Sequence, residues 1–436
     1  LMKKRVSQNT PWLIAGSIFS GGGLGDVGVE WGAGIPVLAA CEIVPSRAAL
    51  LRANFPGTKV FEGDIWDLHE EYVAFFRKQL GGKPPWLITL SPPCQGMSSN
   101  GAGRISSSIR SGLRPQEDER NRLILPGIKV LEKLTPDWFI LENVRRMENT
   151  VIRNENGKPE NILHSLGRRL HPMGYTLRSS ILDFRDYGVP HHRERLITIG
   201  CRIPSLTAKH TPVWNIYAKE PSVFHPVPTH GGVGQPPQVS LRQAIGHLST
   251  LDAQTRLFDR SDPYHCVPKW NQRQYDWMKA TPEGQTAFDN FKCLDCGKRM
   301  KDPDQVTCSC GSPLPRPQIG YGADARLVRG FRSSYRRMRW DQPGSTLTMN
   351  SGVISSDLKG HPDQHRVLSL REIMILATLD RPDWPKTYEF EGVRYGRMGQ
   401  DETFSKKLIR EVVGESIPPL AMKRIVERLM KLDDRL

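Results

Sequence analysis

No window of this 436-residue chain holds the roughly 18 apolar residues of a membrane span, and the opening LMKKRVSQNT lacks the apolar core of a secretory leader. Together these absences exclude a helical membrane protein, and we expect a soluble cytoplasmic one, associated with the nucleoid if the source is bacterial. Cysteine is scarce: eight residues in a cytoplasmic chain point to thiols, metal ligands or a nucleophile rather than to a disulfide framework. There is no internal repeat, so a solenoid is excluded. Acid is in deficit as well. Asp and Glu number 46 against 61 Lys and Arg, a formal charge of +15, which favours a polyanionic partner through counterion release.

What is present begins with an alternation. WLIAGSIFS (12–20), VLAACE (37–42), KVFEGDI, WLITLSPPC, DWFILENV and ERLITIGC read as buried strands, separated by helical patterns such as PSRAALLRANF and LILPGIKVLEKL. Alternating strands and helices imply a mostly parallel sheet with ligand sites at the strands' C-terminal ends. After about residue 204 the texture turns to Pro, Gly and His (VFHPVPTHGGVGQPPQ), which marks a domain boundary. Helical character returns in SKKLIREVVG and PPLAMKRIVERLMKL.

Three stretches carry chemistry. The turn FSGGGLGDVGVEWGAG (19–34) fits a dinucleotide pattern at Gly23, Gly25 and Gly28, compatible with NAD or FAD, with a nucleoside-containing methyl donor, or with a structural turn. Glu42 at the end of the second strand suits a ribose diol, and Asp64 at the end of the third suits an adenine amine. In SPPCQGMSSNG, two prolines stiffen the backbone ahead of Cys94 while Gly96, Gly101 and Gly103 leave the loop after it mobile. The later strand WFIL ends in Glu142-Asn143-Val144. Arg193 and Arg195 occupy alternate positions of the next strand entry and are expected to point the same way. Thiol, carboxyl and arginine would then meet at three ends of one parallel sheet.

On these residues the chain resembles the DNA cytosine-5 methyltransferases that use S-adenosylmethionine. The likeness is colinear from the Phe19-x-Gly21-x-Gly23 turn through Pro93-Cys94-Gln95, Glu142-Asn143-Val144, Arg193-x-Arg195 and RVLSLREIMILATLD (366–380) to GESIPPLA (414–421). Amino-methylating relatives end the fourth strand in Pro-Pro-aromatic and use no thiol; Cys94 excludes their chemistry. The resemblance implies a Rossmann-like α/β methyltransferase sheet with helices on both faces, plus a smaller irregular target-recognition domain. Residues 1–204 with 405–436 would form the catalytic domain, 205–365 the recognition domain and 366–404 its support and hinge. It implies that Phe19, Gly21, Gly23, Glu42, Ile43, Asp64, Ile65, Pro93, Glu415 and Ser416 hold the donor. It further implies that the Cys94 thiolate adds to C6 of a flipped-out cytosine, that Glu142, as a carboxylic acid in a dry pocket, serves N3, and that Arg195 with Arg193 holds O2. Gln95, Ser98 and Arg104, on the loop that would act as a lid, are expected to touch DNA. Three positions depart from the family pattern: Gly23-Leu24-Gly25 displaces a glycine pair, His191 replaces a glutamine, and Glu415 an asparagine.

The middle region adds Cys293-x-x-Cys296 and Cys308-x-Cys310, each pair followed by Gly, a spacing that suits a structural zinc site. Behind it lies an arginine-rich stretch (316–340) with interleaved aromatics, in which Arg329, Arg332, Arg336 and Arg337 are expected to contact duplex DNA. The partners expected are double-stranded DNA and, functionally but without stable contact, a restriction endonuclease, the enzyme being a monomer that engages no membrane. The rivals are a tRNA cytosine-5 methyltransferase, whose Cys-Phe-Thr motif is absent here, and an inactive nucleic-acid-binding relative, which would need no thiol at 94.

Overall fold

The computed structural model describes residues 13–93, 119–208, 222–329, 332–390 and 404–436. Apolar runs form the centre of a seven-stranded sheet. Its members are β1 (Ala15–Ile18), β2 (Val37–Glu42), β3 (Lys59–Glu62), β4 (Leu87–Leu90) and β5 (Trp138–Asn143), followed, beyond a small hairpin of β6 (Val151–Arg153) and β7 (Pro159–Asn161), by β8 (Thr176–Asp183) and β9 (Glu194–Cys201). The spatial order is β3-β2-β1-β4-β5-β9-β8. Every residue of β1, β4 and β5 is buried, as strands covered on both faces must be.

One face is covered by the helices Ile65–Gln79, Ile124–Leu134 and Ile162–Leu170, through Tyr72, Phe76, Ile128, Leu131 and Leu166. On the other face lies the last helix, Pro419–Leu432, which seats Met422, Ile425, Val426 and Leu429 against Trp86, Trp138, Ile140 and Ile197. The C-terminal segment is thus a structural part of the sheet's sandwich. Glycine at 28 follows from this contact. A Cβ there would lie 2.4 Å from the Pro419 carbonyl oxygen and 2.7 Å from Met422 Cβ, so the last glycine of the dinucleotide-like pattern admits a helix, not a ligand.

The sheet is mixed, not uniformly parallel. β1 through β5 run parallel, whereas β9 is antiparallel to β5, setting Asn143 against Leu196 and Trp138 against Cys201. β8 in turn pairs antiparallel with β9. Sequence reading passes over β8 because its interior, Arg178-Ser179-Ser180, looks polar; the Ser179 hydroxyl is satisfied across strands, its Oγ lying 2.6 Å from Thr198 Oγ1, whereas Ser180 Oγ is buried without a hydrogen-bond partner among the described residues.

The middle of the chain is not a free-standing body. Leu241, Ile245, Trp340, Leu368, Ile373, Trp384 and Val412 share one core with Leu24, Leu50, Leu51 and Phe55 beside the first glycine turn. The stretch before residue 391 fastens onto that turn: Tyr388 donates its hydroxyl proton to the Gly22 carbonyl, and Asn54 exchanges two hydrogen bonds with the Glu389 backbone at 2.8 and 2.9 Å. A second core, with Trp270, Trp277, Phe288 and Tyr335, is built by the middle region itself. Among the described residues no helix is long and apolar enough to cross a membrane.

Gly28→Ala should force the last helix away from the sheet and cost about 1–3 kcal/mol, the usual penalty of overpacking, read as a lowered denaturant midpoint at unchanged slope. An unaltered midpoint would show that this helix contact is slack.

Candidate active site

The turn after β1 reverses the chain through left-handed conformations at Phe19 (φ 59°), Gly21 (φ 56°) and Gly23 (φ 80°). Phe19 is strained there, since a bulky L-residue rarely adopts that region. The strain is held in place by hydrogen bonds from Ser20 N to the Cys41 carbonyl and from Gly21 N to Glu42 Oε2, at 3.1 and 2.8 Å. Glu42 accepts a second amide, Val44 N, on Oε1 at 2.8 Å, and burial pushes its carboxyl up against those two bonds. Asp64 caps the helix that opens at Ile65 by accepting from Trp66 N.

These groups border a cavity of about 680 Å³ at the C-terminal edge of the parallel strands. Phe19, Gly21, Glu42, Ile43, Asp64, Ile65, Pro93, Glu415 and Ser416 all line it. Gly23 does not. A Cβ at 23 would strike Leu51 and Phe55 at 2.7 Å, so this glycine makes room for the helix Pro45–Asn54 and is removed from the donor set.

Glu142 and Arg195 close the far side of the same cavity. Arg195 would stand at the wrong edge if β9 ran parallel; because it runs antiparallel, the start of β9 lies beside the end of β5. Arg195 Nε approaches Glu142 Oε1 to 2.9 Å, but its N–H is not directed at that oxygen, which stays buried without a hydrogen-bond donor among the described residues. Asn143 fastens this strand end to the one before it: Nδ2 donates to the Pro92 carbonyl at 2.9 Å while Oδ1 accepts from Val144 N. Cys94, Gln95, Ser98 and Arg104 lie outside the described residues.

Arg193 does not join Arg195. It precedes β9, so strand alternation does not reach it, and its buried guanidinium donates to the carbonyls of Leu347, Gly414 and Glu415 at 3.2, 3.1 and 2.8 Å. It is a strut between the sheet, the middle region and the helix Lys406–Glu415. His191 is buried beside it, and burial with the neighbouring guanidinium holds its pKa well below the usual imidazole value.

The four cysteines of the middle region converge. Their sulfurs lie within 4.8 Å of one another, with Cys293 to Cys310 at 3.7 Å and Cys296 to Cys308 at 3.5 Å. Disulfides would need about 2.05 Å, whereas sulfurs about 2.3 Å from one tetrahedral ion stand roughly 3.8 Å apart. The donor set therefore fits zinc. Of the arginines, Arg329 and Arg332 are exposed and Arg336 half-buried, but Arg337 is buried. It donates to the carbonyls of Thr281, Met278, His361 and Gln364 and contacts His365 Nδ1, so it holds the middle region together and cannot touch DNA.

Two site residues escape sequence reading. Arg47 meets Glu415 on the cavity wall, 368 positions away, and nothing local announces it. Asp26 lies beneath the glycine turn, where it accepts from Ser17 Oγ at 3.0 Å. An Asp between Gly25 and Val27 in an apolar helix start was the available signal.

This cavity, with a buried acid and an arginine on its wall at the C-terminal ends of parallel strands, is the ligand site of an α/β protein. The chain belongs to the C-5 cytosine-specific DNA methylases, whose family model matches residues 15–431. It is 30% identical to the Type II methyltransferase M1.HgaI of Avibacterium volantium over 95% of this chain and 97% of that one. To M1.HphI of Haemophilus parahaemolyticus it is 23% identical, over 95% and 86%. Among solved structures it resembles in fold a prophage-encoded E. coli protein described as a DNA modification methyltransferase, with a TM-score of 0.55 and 18% identity over 96% of this chain and 99% of that one. The S. pombe Dnmt2 methyltransferase is similar at 0.51 and 15%, over 96% and 97%. The protein is thus a DNA cytosine-5 methyltransferase whose donor is S-adenosylmethionine and whose substrate is double-stranded DNA. The cavity suits that donor. Ile43 is 58% exposed although apolar, a face for a nucleobase; Glu42 keeps lone pairs beyond its two amides; and Gly21 stands opposite Ser416, whose Oγ would lie 3.8 Å from a Cβ at 21.

Asp26 generates a pH dependence. Burial raises its pKa to about 7 in the folded chain, against about 3.9 unfolded. The folded state therefore binds the extra proton between those values, and stability falls as pH rises from about 4 to about 7. Asp26→Asn should be more stable than the parent at pH 8 by a few kcal/mol, a gap that closes toward pH 4. A gap independent of pH would refute this assignment.

Proposed function

We propose that the protein methylates C5 of a cytosine extruded from a specific duplex sequence, as the modification enzyme of a bacterial or phage Type II restriction system or as an orphan methylase. The observation that supports this best is Glu142: a buried carboxylate oxygen without a hydrogen-bond donor among the described residues, beside Arg195 and next in the chain to Asn143, which binds the carbonyl of Pro92, two residues before Cys94. C5 of cytosine is too weak a nucleophile to accept a methyl group until the Cys94 thiolate adds to C6. Glu142 then serves N3, where negative charge would otherwise accumulate, and Arg195 orients Glu142 and neutralises charge at O2. S-adenosylmethionine, when bound, supplies an electrophilic methyl group. Loss of the C5 proton and departure of the thiolate restore the ring. None of these atoms is reachable within a stacked duplex, so the base is flipped.

The middle region reads the target in this proposal, with Arg329, Arg332 and Arg336 available to phosphates and base edges and with one zinc ion on Cys293, Cys296, Cys308 and Cys310. We further take the enzyme to act as a monomer, in the cytoplasm at the nucleoid, with a cognate endonuclease as functional counterpart only.

Duplex DNA with 5-fluorocytosine at the target should trap a covalent adduct, because fluorine cannot leave as a proton. Cys94→Ala should abolish adduct and turnover alike, and Glu142→Gln should slow methyl transfer by about 10²–10⁴-fold with duplex binding nearly unchanged. Turnover by Cys94→Ala would overturn the mechanism.

For the metal, elemental analysis should find about one zinc per chain, and structural zinc contributes on the order of 10 kcal/mol to such a knuckle. Cys308→Ser should lose zinc and specific DNA binding while donor binding survives. A metal-free preparation that still discriminates its target would break the link.

A further inference from the structure

Away from the donor cavity, the middle region carries a cavity of about 500 Å³ between the helix Gln272–Lys279 and a two-stranded hairpin, β10 (Gln318–Ile319) and β11 (Arg326–Leu327). Among the described residues its wall is made of carboxamide, aromatic and aliphatic side chains and one cation, without an acid. The hairpin turn, bent by left-handed glycines at 320 and 322, leaves Ile319 46% and Tyr321 77% exposed. Behind it, Trp277 meets Tyr335 edge to face at 5.5 Å, and Tyr335 holds a left-handed φ of 50° that a bulky residue rarely adopts. Strain of this kind persists only where the surroundings impose it, and it clusters at ligand sites. The cation is Arg273. Its guanidinium carbon lies 4.6 Å from the centre of the Tyr321 ring and 5.6 Å from that of Trp277, and Nη2 donates to the Gln318 carbonyl at 2.7 Å. Nε and Nη1 have no partner among the described residues.

We infer that Arg273 is a base-reading residue, whose guanidinium takes O6 and N7 of one guanine of the target from the major groove. This rests on the proposal that the middle region reads DNA, and it assigns the reading to a residue outside the arginine-rich stretch. The Gln318 carbonyl uses one of the two hydrogens on Nη2, so the fork that the other makes with Nε or with Nη1 stays whole. Such a fork fits the two adjacent acceptors of a guanine edge. Contacts with two rings and a carbonyl fix the plane of the guanidinium before DNA arrives, which spares the ordering cost that a free side chain incurs on binding. A backbone phosphate needs neither the fixed plane nor the apolar border of Ile319 and Tyr321; the exposed Arg329 and Arg332 suit that task. Neighbouring carboxamides are already engaged: Gln272 donates to Asp276 at 2.8 Å, Gln318 to the Leu314 carbonyl at 3.1 Å, and Asn271 accepts from Gln274 N at 2.9 Å. Arg273 is left as the charged group with donors to spare.

The test is methylation, by the full chain, of a duplex library randomised around one cytosine and read by bisulfite sequencing. The parent should return a motif with a guanine whose replacement sharply lowers methylation. Arg273→Met, which keeps a long side chain between the rings but removes the fork, should relax that one position by roughly 10- to 100-fold. The other positions and the salt dependence of duplex binding should stay nearly as they were. Tyr321→Ala should relax the same position by a smaller factor, because the fork loses one of the rings that hold it. Tyr321 is exposed enough for its loss to spare the fold, so this variant carries the test should Arg273→Met lower the thermal midpoint markedly. Equal weakening of every sequence, with the salt slope reduced by about one unit, would make Arg273 a phosphate contact and overturn the assignment. An unchanged motif in both variants, or relaxation at a pair other than G·C, would overturn it as well. A parent that methylates cytosines without regard to sequence would overturn target reading by the middle region itself.

Discussion

Because β9 runs antiparallel to β5, the register that sets Asn143 against Leu196 places Arg195 one step beyond the end of β5, within 2.9 Å of Glu142. The rest of the site is arranged around that pairing. The parallel strands deliver a glycine turn, Glu42, Asp64 and Pro93 to one edge; the antiparallel strand brings to the same edge a group from a chain segment that enters from the opposite direction. A cation from a parallel β9 would have had to come from its far end, Cys201, which pairs with Trp138 at the bottom of the sheet.

Arg193 and Arg195 then divide two tasks that adjacent positions of one motif suggest are shared. Arg195 faces the acid, while Arg193 is withdrawn into the protein and holds the main chain at Leu347, Gly414 and Glu415. Through it the wall of the donor cavity, the middle region and the strand that carries Arg195 form one rigid unit. Burying a guanidinium is costly unless its donors are met, and carbonyls from two distant segments meet three of them. The arrangement makes the geometry of the base acid depend on the correct docking of residues that follow 340.

The same logic separates the arginines of the middle region. Arg316 and Arg337 are among the most buried side chains there, each fastened to carbonyls of segments that lack regular structure. With few strands available to satisfy main-chain acceptors, an irregular region uses guanidinium forks in place of a ladder. The cysteine cluster serves a related end, closing a small satellite core of Cys293, Met300, Cys308 and Leu314 that is too small to be stable through apolar burial alone.

The strands β1 to β5, the order of the thiol, acid and arginine motifs and the paired cysteines were all legible in the linear sequence, because each is set by neighbours within a few residues: apolar runs, turn glycines, knuckle spacings. Other features were decided only in three dimensions. The polar interior of β8 reads as a strand only once Thr198 lies opposite Ser179. Gly23 and Gly28 look like ligand glycines until the helices Pro45–Asn54 and Pro419–Leu432 are seen to occupy the space a Cβ would need. Arginine density at 316–340 cannot tell a strut from a contact, since burial of Arg337 depends on carbonyls at 278, 281, 361 and 364. Glu415 acquires its meaning from Arg47, 368 residues earlier. Local sequence determines which groups the chain has to offer; their pairing is decided by long-range packing, because charge and hydrogen-bond complementarity act through space and not along the chain.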